Sequence, residues 1–159
     1  MIFGLTLYTF VHVLISLVAI LSGLVVLSGL LNANRMEGWT MIFLATTVAT
    51  SLTGFGFPIH GPTPALILGI LSMTVLALAI AGRYLFGLAG ASRWIYVAAS
   101  VVALYFNVFV LVVQAFLKIP PLHALAPNGS EPPFAVAQGV ALLFFIVTGY
   151  LAVQRFHPA

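Results

Sequence analysis

The chain has 159 residues, of which 63% are apolar and only 4% are charged. Its five basic and two acidic side chains are too few for the electrostatic surface of a nucleic-acid-binding protein, and the lack of cysteine excludes disulfides, thiolate ligands and iron–sulfur clusters. Apolar residues in this proportion cannot all be buried in one soluble core, so the composition predicts a protein of the lipid bilayer.

Five apolar segments each approach the roughly 20 residues that a membrane-spanning helix needs. They cover residues 5–31, 40–57, 64–88, 94–117 and 134–156. Backbone groups in lipid must satisfy their own hydrogen bonds, and apolar runs longer than strands favour helices over a barrel. The sequence therefore predicts an all-α integral membrane bundle of five transmembrane helices, with residues 1–159 forming a single domain.

The basic residues predict the orientation of this bundle, since arginine and lysine are enriched on the cytoplasmic side of membranes. With five helices, four of the five bases fall on one side, and these are Arg35, Arg83, Arg93 and Arg155. Lys118 falls on the other side. The expected topology has the N-terminus outside and the C-terminus in the cytoplasm, and the first apolar run is expected to be a retained span because no basic residue precedes it.

The first predicted helix carries a histidine among apolar residues. At helical spacing His12 aligns with Ser16, Ala19 and Gly23, and small residues in such a stripe let a second helix approach closely. Polar residues inside spans usually face the bundle and often mark function. Helix packing alone explains the small residues, whereas His12 is also a candidate ligand-binding residue.

The second predicted helix is short and rich in hydroxyl groups. Thr46, Thr50 and Thr53 share one face, and the helix is expected to end at Pro58. The connector that follows, GFPIHGPTP, contains His60. It is expected to reverse the chain on the outer side of the membrane.

The fourth predicted helix carries a polar row at heptad spacing, made of Ser100, Asn107 and Gln114. An amide near the middle of the membrane needs a partner, because lipid supplies none. Hydrogen bonds between helices are one explanation and a ligand site is the other. In the second case, Asn107 and Gln114 would line an inward-facing polar pocket together with Gln138 of the last helix and His12.

The longest connector, IPPLHALAPNGSEPPF, contains five prolines. It is expected to be stiff and extended rather than helical, and to lie over the outer end of the bundle. His123 and Glu131 belong to it. The predicted topology therefore brings His12, His60 and His123 to the outer side, with Glu131 nearby.

Three histidines on one side of a membrane form a candidate site for a transition metal or haem iron, because imidazole binds both. Glu131 could complete such a site. The spacing adds no support, since the histidines follow no metal-binding motif. The alternative is that His60 and His123 lie in water-facing loops and that His12 hydrogen-bonds a neighbouring helix.

Other function classes lack their signatures in this sequence. No acidic residue lies within a predicted span, which counts against a proton-coupled or ion-coupled transporter. The chain has no nucleophile–base motif, phosphate-binding loop, dinucleotide fingerprint or HExxH helix. The sequence therefore favours a non-catalytic protein over an enzyme.

Four runs that cover most of the chain carry a family resemblance: FVHVLISLVAILSGLVVLSGLL, GWTMIFLATTVATSLTGFGFP, RWIYVAASVVALYFNVFVLVVQAFLK and LHALAPNGSEPPFAVAQG. They are similar to a family of small bacterial multi-pass integral membrane proteins. The resemblance implies a location in the bacterial inner membrane. It implies no activity, ligand or site residue.

Three functions are compatible with these features. The first is an accessory or structural subunit of a larger membrane complex, which contacts membrane lipids and other subunits and holds lipid or quinone. The second is a redox protein that binds metal or haem through His12, His60 and His123. The third is a small channel or carrier that uses the polar row of the fourth helix. The first is the leading hypothesis, because it needs no unseen geometry.

Overall fold

The structure is a computed structural model that describes residues 5–58, 61 and 63–158. Every element in this part of the chain is helical. In chain order the elements are α1 (Leu7–Leu31), α2 (Glu37–Gly54), α3 (Pro64–Ile80) with a π-helical turn (Ala81–Leu85), α4 (Ala91–Lys118), α5 (Pro120–Leu125) and α6 (Pro132–Arg155).

Within the described residues, four helical segments are long and apolar enough to cross a membrane, namely Leu7–Leu31, Pro64–Leu85, Ala91–Lys118 and Pro132–Arg155. The prediction of an all-helical, multi-pass membrane protein is thus confirmed. The count of five spans is not confirmed, because α2 is not one of the four. With 18 residues α2 is long enough, but it is less apolar than the other four, because it contains Glu37 and six threonine or serine side chains.

Local sequence explains where several helices begin. The hydroxyl groups of Thr6 and Thr63 accept hydrogen bonds from backbone N–H groups in the first turns of α1 and α3. Prolines occupy the first positions of α3, α5 and α6, where the fixed φ angle suits a helix and the missing N–H is not needed. The helix α2 ends at Gly54, four residues before Pro58, which was expected to end it.

The long connector between α4 and α6 differs from its prediction. It was expected to be extended, but residues Pro120–Leu125 form the short helix α5. The physical reason is the position of Pro120 and Pro121, which start the helix instead of interrupting it. His123 consequently lies on a helical turn.

The helix α4 is the centre of the bundle, since it packs against α1, α3 and α6. The core lies around its first half and includes Tyr96, Val97 and Leu104. On α1, Gly23 permits a close approach to this core. A Cβ atom at Gly23 would lie 2.5 Å from Cδ1 of Leu104 and 2.9 Å from Cδ2 of Phe43. The small-residue stripe of α1 therefore brings α1 against both α2 and α4.

Candidate functional site

An open apolar groove of about 460 Å³ lies between α4 and α6. On the α4 side it is lined by residues from Ala98 to Tyr105, and on the α6 side by residues from Leu142 to Gln154. Most lining side chains are aliphatic or aromatic. The polar atoms available to a bound molecule belong to Tyr105, Tyr150 and Gln154, so the groove suits a long apolar chain with a polar end.

The approach of α4 and α6 behind this groove depends on Gly149. A Cβ atom there would lie 3.1 Å from Cγ1 of Val101, which is tighter than ordinary van der Waals contact. At the end of α6 the two helices are also joined by Arg93. Its Nη1 donates to the carbonyl oxygens of Val153 at 3.3 Å and Phe156 at 2.6 Å.

His12 joins α1 to the end of α2. Its Nδ1 is 2.7 Å from Oγ1 of Thr53, and its ring meets the ring of Phe57 edge-on with centroids 5.1 Å apart. The hydroxyl of Tyr8 donates to the carbonyl oxygen of Thr53 at the same place. One ring nitrogen of His12 is therefore engaged in helix packing, and Nε2 is the one left for a ligand.

The other predicted metal ligands have separate surroundings. His123 is exposed on α5, with Nδ1 3.3 Å from the carbonyl oxygen of Phe116. His60 lies outside the described residues. Within the part of the chain that the structure describes, no group of three histidine, aspartate or glutamate side chains could hold a metal ion. A metal or haem site that includes His60 stays a prediction.

Glu131 organises the turn that precedes α6. Its two carboxylate oxygens accept hydrogen bonds from the backbone N–H and side-chain amide of Asn128 at 3.0 and 2.8 Å, and from the backbone N–H of Ser130 at 3.0 Å. Desolvation raises the pKa of Glu131, but these hydrogen bonds outweigh it, and the pKa lies below its ordinary value. The carboxylate therefore has a structural role in this turn.

The predicted polar row of α4 does not form one pocket. The amide of Asn107 donates to Oγ1 of Thr47 on α2 at 3.3 Å. This is a hydrogen bond between helices, the first of the two explanations predicted for this amide. Ser100 is buried beside a space with no room for a water molecule. Gln114 is exposed, so the expectation that it faces inward is wrong. The residue that packs inward at this end is Phe116, which is buried and whose ring meets that of Phe134 at the start of α6.

Gln138 likewise makes a helix-packing contact of its own. Its Nε2 donates to the carbonyl oxygen of Phe109 at 3.1 Å, which links α6 to α4. Its Oε1 is buried and has no hydrogen-bond partner among the described residues. Four residues were predicted to share one ligand pocket. Three of them, His12, Asn107 and Gln138, instead bind different partners between helices, and the fourth, Gln114, is exposed.

Sequence reasoning missed a buried arginine cluster at the opposite end of the bundle from His12. The side chain of Arg83 is only 3% exposed, and its Nη2 lies 2.8 Å from Oε2 of Glu37. Nη2 also donates to the carbonyl oxygen of Arg35 at 3.0 Å, and Nη1 donates to the hydroxyl of Tyr96 at 3.2 Å. The guanidinium carbon lies 5.2 Å from the centre of the Tyr96 ring.

This cluster connects the start of α2, the π-helical turn and the start of α4. Arg83 was interpreted from the sequence as one of several cytoplasmic-side bases. The feature of the sequence that could have indicated this ion pair is Glu37, because it is one of only two acids available to pair with a base. Its spacing of 46 positions from Arg83 hid the pair, because only the tertiary fold brings α2 and α3 together.

No protein-family model, curated protein or solved structure matches this chain.

Proposed function

We propose that this protein is a non-catalytic accessory or structural subunit of a larger bacterial inner-membrane complex, and that it holds the apolar chain of a lipid or quinone between α4 and α6. The single observation that carries the proposal is the groove of about 460 Å³ on the surface of these two helices. This volume falls within the roughly 300–1,000 Å³ of small-molecule pockets. Lipids and quinones share the required chemistry, a long hydrocarbon tail with a polar head.

The use of the polar side chains supports holding rather than chemical conversion. His12, Asn107, Gln138 and Arg83 each make a hydrogen bond that joins two helices or a helix to a connector. None of them lines the groove. A molecule in the groove would meet mainly aliphatic and aromatic carbon, which binds a chain but performs no acid–base or nucleophilic step.

We expect a bulky side chain at Ala98 to displace the bound molecule. In Ala98→Phe the added ring would occupy the groove, and the amount of lipid and quinone retained per protein should fall several-fold. The control is Ala77→Phe on α3, where the alanine is exposed and does not line the groove. Mass spectrometry of organic extracts from protein purified in mild detergent measures both classes of ligand and distinguishes them.

Equal retention in Ala98→Phe and Ala77→Phe would refute the groove as the binding site. Should Ala98→Phe fail to fold, Ala98→Leu gives a smaller obstruction with the same expected direction. The same purification from native membranes tests the subunit part of the proposal. A chain that always purifies without other polypeptides would contradict it.

The proposed topology has five spans, with the N-terminus outside and α2 crossing beside α1. Contacts along the two helices support an antiparallel pair of similar depth. At one end Thr53 of α2 meets Tyr8 and His12, in the middle Phe43 meets Gly23, and at the other end Met36 meets Gly29. Contact over this length of a spanning helix supports a path for α2 across the same hydrocarbon layer.

Single cysteines provide a direct test, because the native chain contains none. With five spans, Asn34→Cys and Ala89→Cys lie on the same, cytoplasmic side, and Asn128→Cys lies outside. A membrane-impermeant maleimide should then label only Asn128→Cys in intact spheroplasts, and all three variants after permeabilisation. Labelling of Asn34→Cys and Ala89→Cys from opposite sides would mean that α2 does not cross.

A further inference from the structure

The groove between α4 and α6 is about as long as one leaflet of the membrane. On α6 its lining residues come from successive turns of one helix face, from Leu142 to Gln154. Over these 12 residue steps the helix rises by about 18 Å, close to half of the roughly 30 Å hydrocarbon core. The groove therefore has the length that the hydrocarbon chain of a lipid has within a single leaflet.

The two ends of the groove lie at different depths in the membrane. Gln154 is the second-last residue of α6, and exposed rings at Tyr150 and, at the start of α4, Trp94 are typical of the membrane–water interface. The other end is formed by Tyr105 and Leu142, each near the middle of its helix. The groove therefore runs from the interface to the middle of the membrane, which is the direction of an acyl chain.

An aromatic ring stands where the groove ends in the middle of the membrane. Tyr105 is the last residue of α4 in the lining, and the centre of its ring lies 5.8 Å from that of Phe145 and 6.1 Å from that of Phe109. Beyond this level Gln138 of α6 donates to the carbonyl oxygen of Phe109 at 3.1 Å, which joins the two helices. A chain that enters from the interface therefore meets the Tyr105 ring where the lining ends.

The lining also indicates which part of a lipid the groove contacts. Its described residues include no charged side chain, and on α4 they are Ala98, Val101, Val102 and Tyr105. A phosphate or ammonium group finds no charged partner among them. The groove therefore contacts the hydrocarbon chain and leaves the headgroup in the interface. Dispersion contacts increase with each CH₂ group that fits and stop increasing where the groove ends.

We infer that Tyr105 limits the length of the chain that the groove accepts, so that the site selects phospholipid acyl chains by length and not by headgroup. The inference rests on the proposed function, because it names the ligand class of the same groove. An extended chain advances by about 1.3 Å per carbon, because C–C bonds of about 1.5 Å meet at tetrahedral angles, and about 18 Å therefore holds about 14 carbons. An acyl chain of this length is unbranched and ends within one leaflet, unlike the polyprenyl tail of a membrane quinone.

The test is a competition between phosphatidylcholines that differ only in chain length, from about 10 to about 20 carbons. Purified protein is equilibrated with equal amounts of these lipids in mixed micelles, and native mass spectrometry measures how much of each is retained. Non-specific adsorption should rise steadily with chain length, because each CH₂ group adds apolar area. We expect instead a maximum near about 14 carbons, at least about threefold above the shortest and the longest chains.

Variants at the two ends of the groove test the role of Tyr105. Tyr105→Ala removes the ring in the middle of the membrane and should move the maximum by several carbons toward longer chains. Tyr150→Ala is the matched control, because it removes the same kind of ring from the lining near the interface, and it should leave the maximum in place. Should Tyr105→Ala fail to fold, Tyr105→Leu should give a smaller shift in the same direction. Phosphatidylglycerols should show the same maximum as phosphatidylcholines.

The outcomes separate this inference from the proposed function. Retention that rises steadily with chain length, or a maximum that neither variant of Tyr105 moves, would overturn the limit on chain length. A preference for one headgroup at equal chain length, or for a long-tailed quinone over the phospholipids, would overturn the selection of acyl chains by length. In each case, loss of retention in Ala98→Phe would still support the groove as the binding site. Retention that Ala98→Phe does not change would instead overturn the proposed function.

Discussion

Replacement of Arg83 by alanine is expected to lower the free energy of unfolding by about 2–5 kcal/mol, the range for removing a large buried side chain. The change removes the ion pair with Glu37, the hydrogen bonds to the Arg35 carbonyl and the Tyr96 hydroxyl, and the contact with the Tyr96 ring. Tyr96 is completely buried, so its hydroxyl cannot turn to water for a replacement.

Substitutions of the residues that contact Arg83 should lower the free energy of unfolding by smaller amounts. Tyr96→Phe removes one buried hydroxyl and should cost about 1 kcal/mol. Glu37→Gln should cost less, about 0–1 kcal/mol, because the Glu37 side chain is 67% exposed and water screens its charge. Alanine at Arg83 should therefore have the largest effect of the three, because it removes every contact at once.

Reversible unfolding in mixed micelles with a rising fraction of sodium dodecyl sulfate measures these differences. Arg155→Ala is a suitable control, since the arginine is exposed, and it should change the stability by less than about 0.5 kcal/mol. If Arg83→Ala were as stable as Arg155→Ala, the cluster would not hold α2, α3 and α4 together.

The second large effect is expected at Gly82, next to Arg83 in the π-helical turn. A Cβ atom at this position would lie 2.8 Å from the carbonyl oxygen of Ser92 and 3.3 Å from the backbone nitrogen of Tyr96. These are backbone atoms of α4, which cannot turn aside as a side chain can. Gly82→Ala should therefore cost about 1–3 kcal/mol, as overpacking of a close contact does, and Gly82→Leu should cost more.

Gly139 offers a matched control within a helix. No atom of the described residues lies within 4 Å of a Cβ atom built there, so Gly139→Ala meets no obstacle among them. It should be neutral or should stabilise α6 by up to about 1 kcal/mol, because alanine is the better helix former. Equal stability of Gly82→Ala and Gly139→Ala in the same unfolding measurement would refute the close approach of the π-helical turn to α4.

The helices themselves could be predicted because hydrophobicity and length are local properties of the sequence. The segments 94–117 and 134–156 correspond to α4 and α6 within a few residues at each end. The exact ends of the helices depended on single residues such as proline. Pro120 and Pro121 were interpreted as preventing a helix. At the first positions of a helix, however, proline is favoured, and residues Pro120–Leu125 form α5.

The candidate site was harder to predict, because helical spacing tells which residues share a face but not which neighbour covers that face. Asn107 and Gln114 are one heptad apart, yet the first contacts Thr47 and the second is exposed. The groove also carries no motif. Its lining residues are ordinary apolar residues of two helices, and their role depends on the space left between those helices.

The sequence by itself determined that this chain is an all-helical membrane protein, because 63% apolar residues in long runs have no other stable arrangement. Only the tertiary structure decided that Arg83 pairs with Glu37, that His12 binds Thr53, and that α4 and α6 leave an open apolar groove between them. Each of these features joins segments that are far apart in the chain. The packing of helices, rather than the residues of any one helix, brings their side chains within bonding distance.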